Sequence, residues 1–312
     1  MSNPLRWQSP GAAAIAFLVL AGCGAQLAPA GTRDFGSAAT ASPTKKGKAA
    51  YAYTCQGSPS LTDCLVYEAG KLVRKVTKDL TVPAGVVAGK SGTLYVADGG
   101  AKDILEFSAG AEKLTATISD GRNVPADVAV YGDELAVSNA TTMTFFAKGA
   151  KSPTRTLKDS KAKKGTGAAF DTSENCYWAF VNTSSKAQVD EFKACTGSPH
   201  ALTITAGAPY GIAFDGRNNL YYTSYESAAN GVYVCSGTSS CTLTYKGFIA
   251  PQYLNFTSGF KDVWVDDTGN YQCYCTGLYE IDVSTGKTIG TITNGLSNFD
   301  PPTGVAAGPG SL

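Results

Sequence analysis

The chain has 312 residues, of which 43% are apolar and 16% are charged, so it is long enough to bury one large core or two smaller ones. Its 26 basic residues balance 25 acidic residues, and the formal net charge of +1 excludes an overall field that would gather nucleic acid or an anionic membrane. His200 is the single histidine, which excludes every mechanism and metal site that needs two imidazole groups.

The N-terminus has the features of an export signal. Arg6 precedes an apolar segment of ten residues, 11–20, which matches the core of a signal peptide and is too short to span a bilayer. The next four residues, LAGC at 20–23, resemble the bacterial lipobox, in which cleavage before the cysteine is followed by its lipidation. This resemblance implies that residues 1–22 are a lipoprotein signal peptide and that Cys23 carries lipid. The alternative is an ordinary secretory signal that ends in cysteine.

The segment after the lipobox predicts a tether. Between residues 24 and 48 the sequence is rich in Ala, Gly, Ser, Thr and Pro, and Leu27 and Phe35 are its only large apolar residues. Such a composition buries too little apolar surface to offset the entropy of ordering. We therefore expect residues 23–48 to link a lipidated cysteine to a folded domain, 49–312, on the outside of a bacterial membrane.

Residues 49–312 contain a repeated phrase. It is clearest at Pro83 (PAGVVAGKSGTLYVADGG) and Pro209 (PYGIAFDGRNNLYYTSY). Related phrases begin at Pro125, Gly165, Pro251 and Pro302, at intervals of 40 to 51 residues, which is the size of one propeller blade. In the unit that starts at Pro83, four short apolar runs alternate with turn residues, so each unit is predicted to contain four β-strands.

The two ends of the domain complement each other. The phrase at Pro302 contains only the first strand of a unit, whereas residues 49–82 contain only the remaining three. A C-terminal inner strand that pairs with N-terminal outer strands would close the ring and leave no unpaired edge. The sequence therefore predicts an all-β, six-bladed propeller whose closing blade is built from both termini.

The repeats resemble a known family. The pattern Pro-x-Gly-apolar-Ala-apolar-Asp, a short turn and Leu-Tyr-Val-Ala-Asp is similar to the NHL-repeat propeller, and more distantly to gluconolactonase-type and strictosidine-synthase-like six-bladed propellers. This resemblance implies the fold. It leaves the function open, because such rings include lactonases, protein-binding modules and scaffold domains.

Nine cysteines are present, and eight remain for disulfides if Cys23 is lipidated, which suits an oxidising compartment. Blade topology favours one bond within the fourth unit and one across a hairpin of the fifth unit. On the other face of the ring, the remaining four could pair within their loops or in two cross-blade links; a four-sulfur zinc site has unsuitable spacing. The two favoured pairs are Cys176 with Cys195 and Cys235 with Cys241, and the remaining four residues are Cys55, Cys64, Cys273 and Cys275.

The starts of the inner strands and the loops beside them are the candidate binding site. Aromatic residues are concentrated there, and amphipathic rings in loops commonly anchor a peptide, a protein or a sugar. The expected ligand-contacting residues are Asp127, Tyr210, Tyr225, Gln252, Tyr253, Tyr271 and Tyr274. We expect a binding or scaffolding module with no catalytic residues, no metal and no cofactor, which contacts the membrane through its lipid and binds no nucleic acid.

The alternative function is a metal-dependent lactone or ester hydrolase. The positions that carry metal ligands in lactonase-type propellers are Ala84, Ala126, Thr166, Tyr210, Gln252 and Thr303 in this chain. Asp127, one position further along, is the only charged oxygen ligand nearby, whereas calcium usually collects six to eight oxygens. Asp98, Asn139, Asn182 and Asp266 close second strands and are interpreted as turn residues rather than ligands.

Two further features are predicted to lie away from this site or at its edge. His200 falls in a turn on the opposite face, with no nucleophile motif nearby, and is interpreted as a solvated loop residue. Seven cations lie within seventeen residues and are predicted to occupy an outermost strand and the loop after it, where they protect a sheet edge or bind a polyanion. They are Lys148, Lys151, Arg155, Lys158, Lys161, Lys163 and Lys164, opposed locally by Asp159.

Overall fold

The computed structural model describes residues 51–58, 61–121, 123–204, 207–225, 229–269, 276–297 and 302–309. Within these ranges the chain is built from strands, with two short 3-10 turns at Ala109–Ala111 and Lys193–Cys195. No helix in these ranges has the length and hydropathy of a membrane span. The predicted signal peptide, lipidation site and tether lie outside the described residues.

Twenty-four strands, numbered β1 to β24 along the chain, form six antiparallel sheets of four strands each. Each sheet is one blade, and the strands of each blade are given below in order from the innermost to the outermost. Blade one contains β24 (Pro302–Gly308), β1 (Tyr51–Gly57), β2 (Thr62–Glu68) and β3 (Lys71–Val76). Blade two contains β4 (Pro83–Ala88), β5 (Leu94–Asp98), β6 (Asp103–Phe107) and β7 (Leu114–Ser119). Blade three contains β8 (Pro125–Tyr131), β9 (Glu134–Asn139), β10 (Met143–Ala147) and β11 (Arg155–Leu157).

The other three blades have the same order. Blade four contains β12 (Ala162–Phe170), β13 (Cys176–Asn182), β14 (Ala187–Phe192) and β15 (His200–Ala201). Blade five contains β16 (Ile212–Phe214), β17 (Leu220–Ser224), β18 (Gly231–Ser236) and β19 (Ser239–Lys246). Blade six contains β20 (Pro251–Phe256), β21 (Asp262–Asp267), β22 (Gly277–Asp282) and β23 (Thr288–Ile292).

The ring closes as predicted. Strand β24 pairs with β1 in antiparallel register, with Tyr51 opposite Gly308 and Tyr53 opposite Ala306. Each inner strand contacts the inner strands of the two neighbouring blades, including β20 against β24. The fold is therefore a six-bladed β-propeller, and the prediction of a closing blade made from both termini is confirmed.

The core is divided among the six junctions between blades. Each junction has its own cluster of buried side chains, such as Trp178 and Phe145 between blades three and four, or Tyr222 and Phe214 between blades four and five. Because every sheet is covered on both faces, its middle strands read as continuous apolar runs with little alternation. This explains why the sequence shows four short apolar segments in each unit.

Among the described residues, three disulfides each join two parts of a single blade. Cys176–Cys195 and Cys235–Cys241 confirm the two favoured pairs. Cys55–Cys64 joins directly opposed residues of β1 and β2, which selects the pairing within one blade over a cross-blade link for these two cysteines. Cys273 and Cys275 lie outside the described residues.

Candidate functional site

Strand direction assigns every loop to one of two faces. Inner strands begin at the face that we call the mouth, which also carries the loops between second and third strands. The opposite face carries the remaining hairpin turns. Strand β1 is antiparallel to β24 and runs towards the mouth, so Tyr51 lies at the opposite face and the preceding chain enters there.

At the mouth, one position of each inner strand lies next to the ring axis. The six residues at this position are Gly85, Asp127, Gly167, Gly211, Tyr253 and Gly304. The glycines are required by close contact between neighbouring strands: a Cβ atom on Gly211 would lie 2.5 Å from the Gln252 carbonyl oxygen, and one on Gly167 would lie 2.6 Å from that of Tyr210. Asp127 and Tyr253 therefore supply the only side chains in this circle, which we call the axial ring.

Tyr253 reaches across the ring axis. Its hydroxyl donates to the carbonyl oxygen of Ala126 at 3.4 Å, although these residues belong to blades six and three, which lie opposite each other. The Tyr253 side chain is only 7% exposed. The sequence predicted that Tyr253 lies in or beside a loop of this face; the structure places it on β20, where it covers the channel beside Asp127.

Two further tyrosines extend this cover towards solvent. The rings of Tyr210 and Tyr253 meet edge to face with centroids 5.5 Å apart, and Tyr225 meets Tyr210 in the same way at 5.4 Å. Exposure increases outward, because Tyr210 is half-buried and Tyr225 is 47% exposed. We call Tyr210, Tyr225 and Tyr253 the tyrosine cluster.

Asp127 lies beneath this cover. One of its carboxylate oxygens, Oδ2, accepts a hydrogen bond from the backbone N–H of Ala168 at 3.0 Å. Burial raises the pKa of Asp127 to about 7, since a desolvated carboxyl favours its neutral form. At neutral pH this side chain therefore exists in both protonation states.

Asp266 supports Tyr253 from the neighbouring strand β21. Its Oδ1 accepts the backbone N–H groups of Gln252, at 3.2 Å, and of Tyr253. Its Oδ2 is buried without a hydrogen-bond partner among the described residues. Burial, and then the charges of Asp267 and Asp127, raise the pKa of Asp266 well above its ordinary value.

The channel below the axial ring is narrow. Its walls are inner-strand side chains such as Val128, Ile212 and Phe214, and its cavity volume is about 50 Å³. That volume holds a few water molecules and is far below the several hundred cubic ångströms of ordinary ligand pockets. Ligands at the mouth must therefore bind above Tyr253 unless this side chain moves.

The described mouth residues do not fit a calcium site. Asp127 and Asp266 are the carboxyl groups beside the axis, and each already accepts backbone N–H groups. Glycine occupies four of the six axial positions, and no group of three His, Cys, Asp or Glu residues in the described ranges is arranged to hold a metal. The described residues therefore provide no set of metal ligands for a metal-dependent hydrolase.

Of the four polar residues interpreted as turn residues, Asp98 and Asn182 serve the loops as predicted, whereas Asp266 binds the inner strand β20. Asp98 accepts four backbone N–H groups, including those of Thr81 and Val82. Asn182 accepts those of Ser184 and Lys186. Asn139 instead donates through its amide to Thr144, at 2.9 Å.

The remaining predicted site residues occupy separate positions. The half-buried Gln252 lies beside the axial ring, and its carbonyl oxygen accepts the N–H of Gly211 at 2.9 Å. Tyr271 and Tyr274 lie outside the described residues. His200 is on the opposite face, where its exposed ring approaches Glu191 with Nδ1 and Oε2 3.3 Å apart.

The basic segment is divided between the two faces, which corrects the prediction of one strand and its loop. Lys148 pairs with Asp133, and Arg155 with Glu134, each at 2.9 Å and towards the opposite face. These acids precede the segment in sequence, so a count of local charges missed them. Lys163 lies within β12, at the start of blade four, rather than in a loop.

The axial ring and the reach of Tyr253 were missed by sequence reasoning. A signal existed, because the third residue of the repeated phrase is glycine in four units and Asp127 or Tyr253 in the other two. What the sequence could not supply was the pairing of opposite blades. That pairing depends on the number of blades and on the diameter of the channel.

Comparisons with known proteins bear on the fold. No protein-family model matches the chain, and no curated protein matches it either. Among solved structures, the chain is similar to one from the "Crystal structure of Nidogen/Laminin Complex", with a TM-score of 0.65 and 15% sequence identity. The similarity covers 84% of this chain and 100% of the other, and at this identity it shows the shared propeller fold alone.

Proposed function

We propose that the protein is an exported, lipid-anchored binding module that holds a peptide, a protein or a glycan on its mouth. The tyrosine cluster carries this proposal. Tyrosine side chains offer a rigid apolar face and a hydroxyl for little loss of conformational entropy, which is why they are enriched at binding hot spots. Tyr225, Tyr210 and Tyr253 form a continuous aromatic surface from solvent to the ring axis.

The narrow channel supports recognition at the surface over chemistry within the ring. A cavity of about 50 Å³ beneath Tyr253 cannot enclose an organic substrate. By contrast, a ligand on the surface could contact Tyr210 and Tyr225 without displacing Tyr253. Tyr271, Tyr274 and Gln252 complete the proposed contact region, and Asp127 lies beneath it.

The proposed anchor precedes the propeller in the sequence. The chain enters the propeller at Tyr51, on the face opposite the mouth. A lipid on Cys23 would connect the propeller to a membrane through the tether over residues 23–48. The similar solved structure is titled as a complex of two proteins, which supports a protein as the class of ligand.

The test is affinity capture from the envelope of cells that produce the chain. The ligand should be retained by the full-length protein and lost from the Tyr210→Ala/Tyr225→Ala variant, because hot-spot aromatics each contribute about 2 kcal/mol or more. Ile289→Ala is the matched control, since Ile289 is 49% exposed on the outer strand β23 and Tyr225 is 47% exposed. Undiminished capture by the double variant, with the fold intact, would contradict the proposal.

A further inference from the structure

Five lysines border the part of the mouth that is formed by blades three and four. Two lie in the loop from β11 to β12, two at the start of strand β12, and one in the loop from β13 to β14. We call this set the lysine rim: Lys158, Lys161, Lys163, Lys164 and Lys186. All five side chains are exposed.

The rim lysines form no ion pairs within the described chain, although Lys161 interacts electrostatically with the buried Asp190. Lys148 and Arg155 of the same basic segment have acidic partners, whereas no ion pair involves any of the five rim lysines among the described residues. The described acids nearby are the half-buried Asp159, whose Oδ1 accepts the Lys161 N–H at 2.6 Å, and the buried Asp190. Edge protection does not explain this arrangement, because β11 spans only Arg155–Leu157 and carries none of the five.

We propose that the lysine rim receives an acidic stretch of a protein partner while Tyr210 and Tyr225, on the neighbouring blade five, receive an apolar anchor of that partner. This inference rests on the proposed function and specifies its ligand class. The arrangement is that of a protein interface, in which an aromatic centre is bordered by charged residues that increase the rate of association.

Other anions fit the rim less well. Every rim cation is lysine, and the fork-like arginine side chain that recognises phosphate in two-point contacts is absent from it. Flexible lysines suit the carboxylates of a polypeptide, whose positions vary along the chain.

Binding of labelled peptides to the full-length chain in mild detergent tests the proposal. One fluorescent probe is a glutamate-rich peptide of about 20 residues with a central phenylalanine, and the other has alanine in place of phenylalanine. Lys161→Glu/Lys163→Glu/Lys164→Glu should weaken the binding of both probes by at least about tenfold at low salt, and this difference should shrink as salt screens the charges. Lys90→Glu/Lys261→Glu/Lys287→Glu changes the net charge equally on the opposite face and should leave affinity within about twofold.

The outcomes separate the two proposals. Equal weakening by both triple variants would show a net-charge effect and overturn the lysine rim as a site. Binding of alginate or of phosphatidylglycerol vesicles through the rim, without binding of either peptide, would overturn it in favour of a polysaccharide or a membrane. The phenylalanine probe should bind more tightly than the alanine probe, and Tyr210→Ala/Tyr225→Ala should remove this advantage. If the advantage persists in that variant, the role of the tyrosines fails even where the lysine result holds.

Discussion

At the residue scale, the mouth is determined by which axial positions can carry a side chain. Four glycines allow neighbouring inner strands to approach until a Cβ atom would collide with backbone, as at Gly304, where it would lie 2.8 Å from the carbonyl oxygen of Ala84. Tyr253 and Asp127 occupy the two positions that tolerate side chains. The close packing that narrows the channel therefore leaves one phenol group, that of Tyr253, and one carboxyl group, that of Asp127, near the ring axis.

Gly167→Ala tests this crowding. The added methyl group would lie 2.6 Å from the Tyr210 carbonyl oxygen, so strands β12 and β16 must separate, and overpacking of this kind typically costs about 1–3 kcal/mol. The free energy of unfolding, measured in urea, should fall by that amount. Gly89→Ala is the control because its nearest neighbour would be 3.9 Å away; equal stability of the two variants would contradict the crowded ring.

Asp127 gives the mouth a dependence on pH. Its pKa is about 7 in the fold and its ordinary value is 3.8, so between these pH values the folded chain binds more protons than the unfolded chain. The contribution of Asp127 to the free energy of unfolding is therefore fully retained below about pH 4 and falls as pH rises towards 7. The loss is complete at about pH 8, where Asp127 of the folded chain is almost fully ionised.

Asp127→Asn should remove this dependence, because the amide does not ionise and its oxygen can still accept the Ala168 N–H. Urea unfolding at pH 4 and pH 8 should show that the native chain loses more stability than the variant, by up to about 4 kcal/mol. Parallel losses in the two proteins would mean that other groups, such as Asp266 and Glu280, whose pKa values are also raised, account for the whole effect.

At the element scale, β24 connects the ends of the domain. It supplies the inner strand of blade one and buries Val305, Ala306 and Ala307, each at most 3% exposed. Thr54 of β1 also donates through its hydroxyl to the Gly304 carbonyl oxygen at 2.6 Å. Without β24, the inner edge of β1 is exposed, and the contacts that β24 makes with β4 and β20 are lost.

Removal of residues 302–312 should thus destabilise all six blades together. We expect a single cooperative unfolding transition, shifted down by ten degrees or more (~10 °C), because several buried side chains and a strand pairing are lost at once. Circular dichroism during heating measures this shift. Removal of residues 310–312 is the control; if both truncations melt at the same temperature, β24 does not close the ring.

Strand positions followed from the sequence where repeats are regular. In blade two, the four apolar runs predicted for the unit that starts at Pro83 correspond to the four strands β4, β5, β6 and β7. The first strand of blade four was harder to predict from the sequence. Strand β12 begins at Ala162, before the repeated phrase, and pairs there with Asn182. Only part of the candidate site could be predicted from the sequence. The concentration of aromatic residues identified the tyrosines. The contact that Tyr253 makes across the ring could not be predicted, because it joins blades that are far apart in the sequence.

At the scale of the whole molecule, the two faces of the ring carry different sets of residues. Its opposite face receives the chain at Tyr51, and there Asp171 and Asp215 each accept backbone N–H groups within tight turns. Its mouth carries the tyrosine cluster, the buried Asp127 and the lysine rim. The channel between these faces is narrow, with a cavity volume of about 50 Å³.

Site-specific photo-cross-linking in the producing cells tests the central claim, that the mouth is the binding surface. A benzophenone side chain would replace Tyr225 in one protein and Ile289 in another, since these two side chains are similarly exposed. We predict a discrete cross-linked partner from position 225 that is absent from position 289 and is lost when Tyr210→Ala is added. The same cross-linked species from both positions, or from position 289 alone, would contradict binding at the mouth.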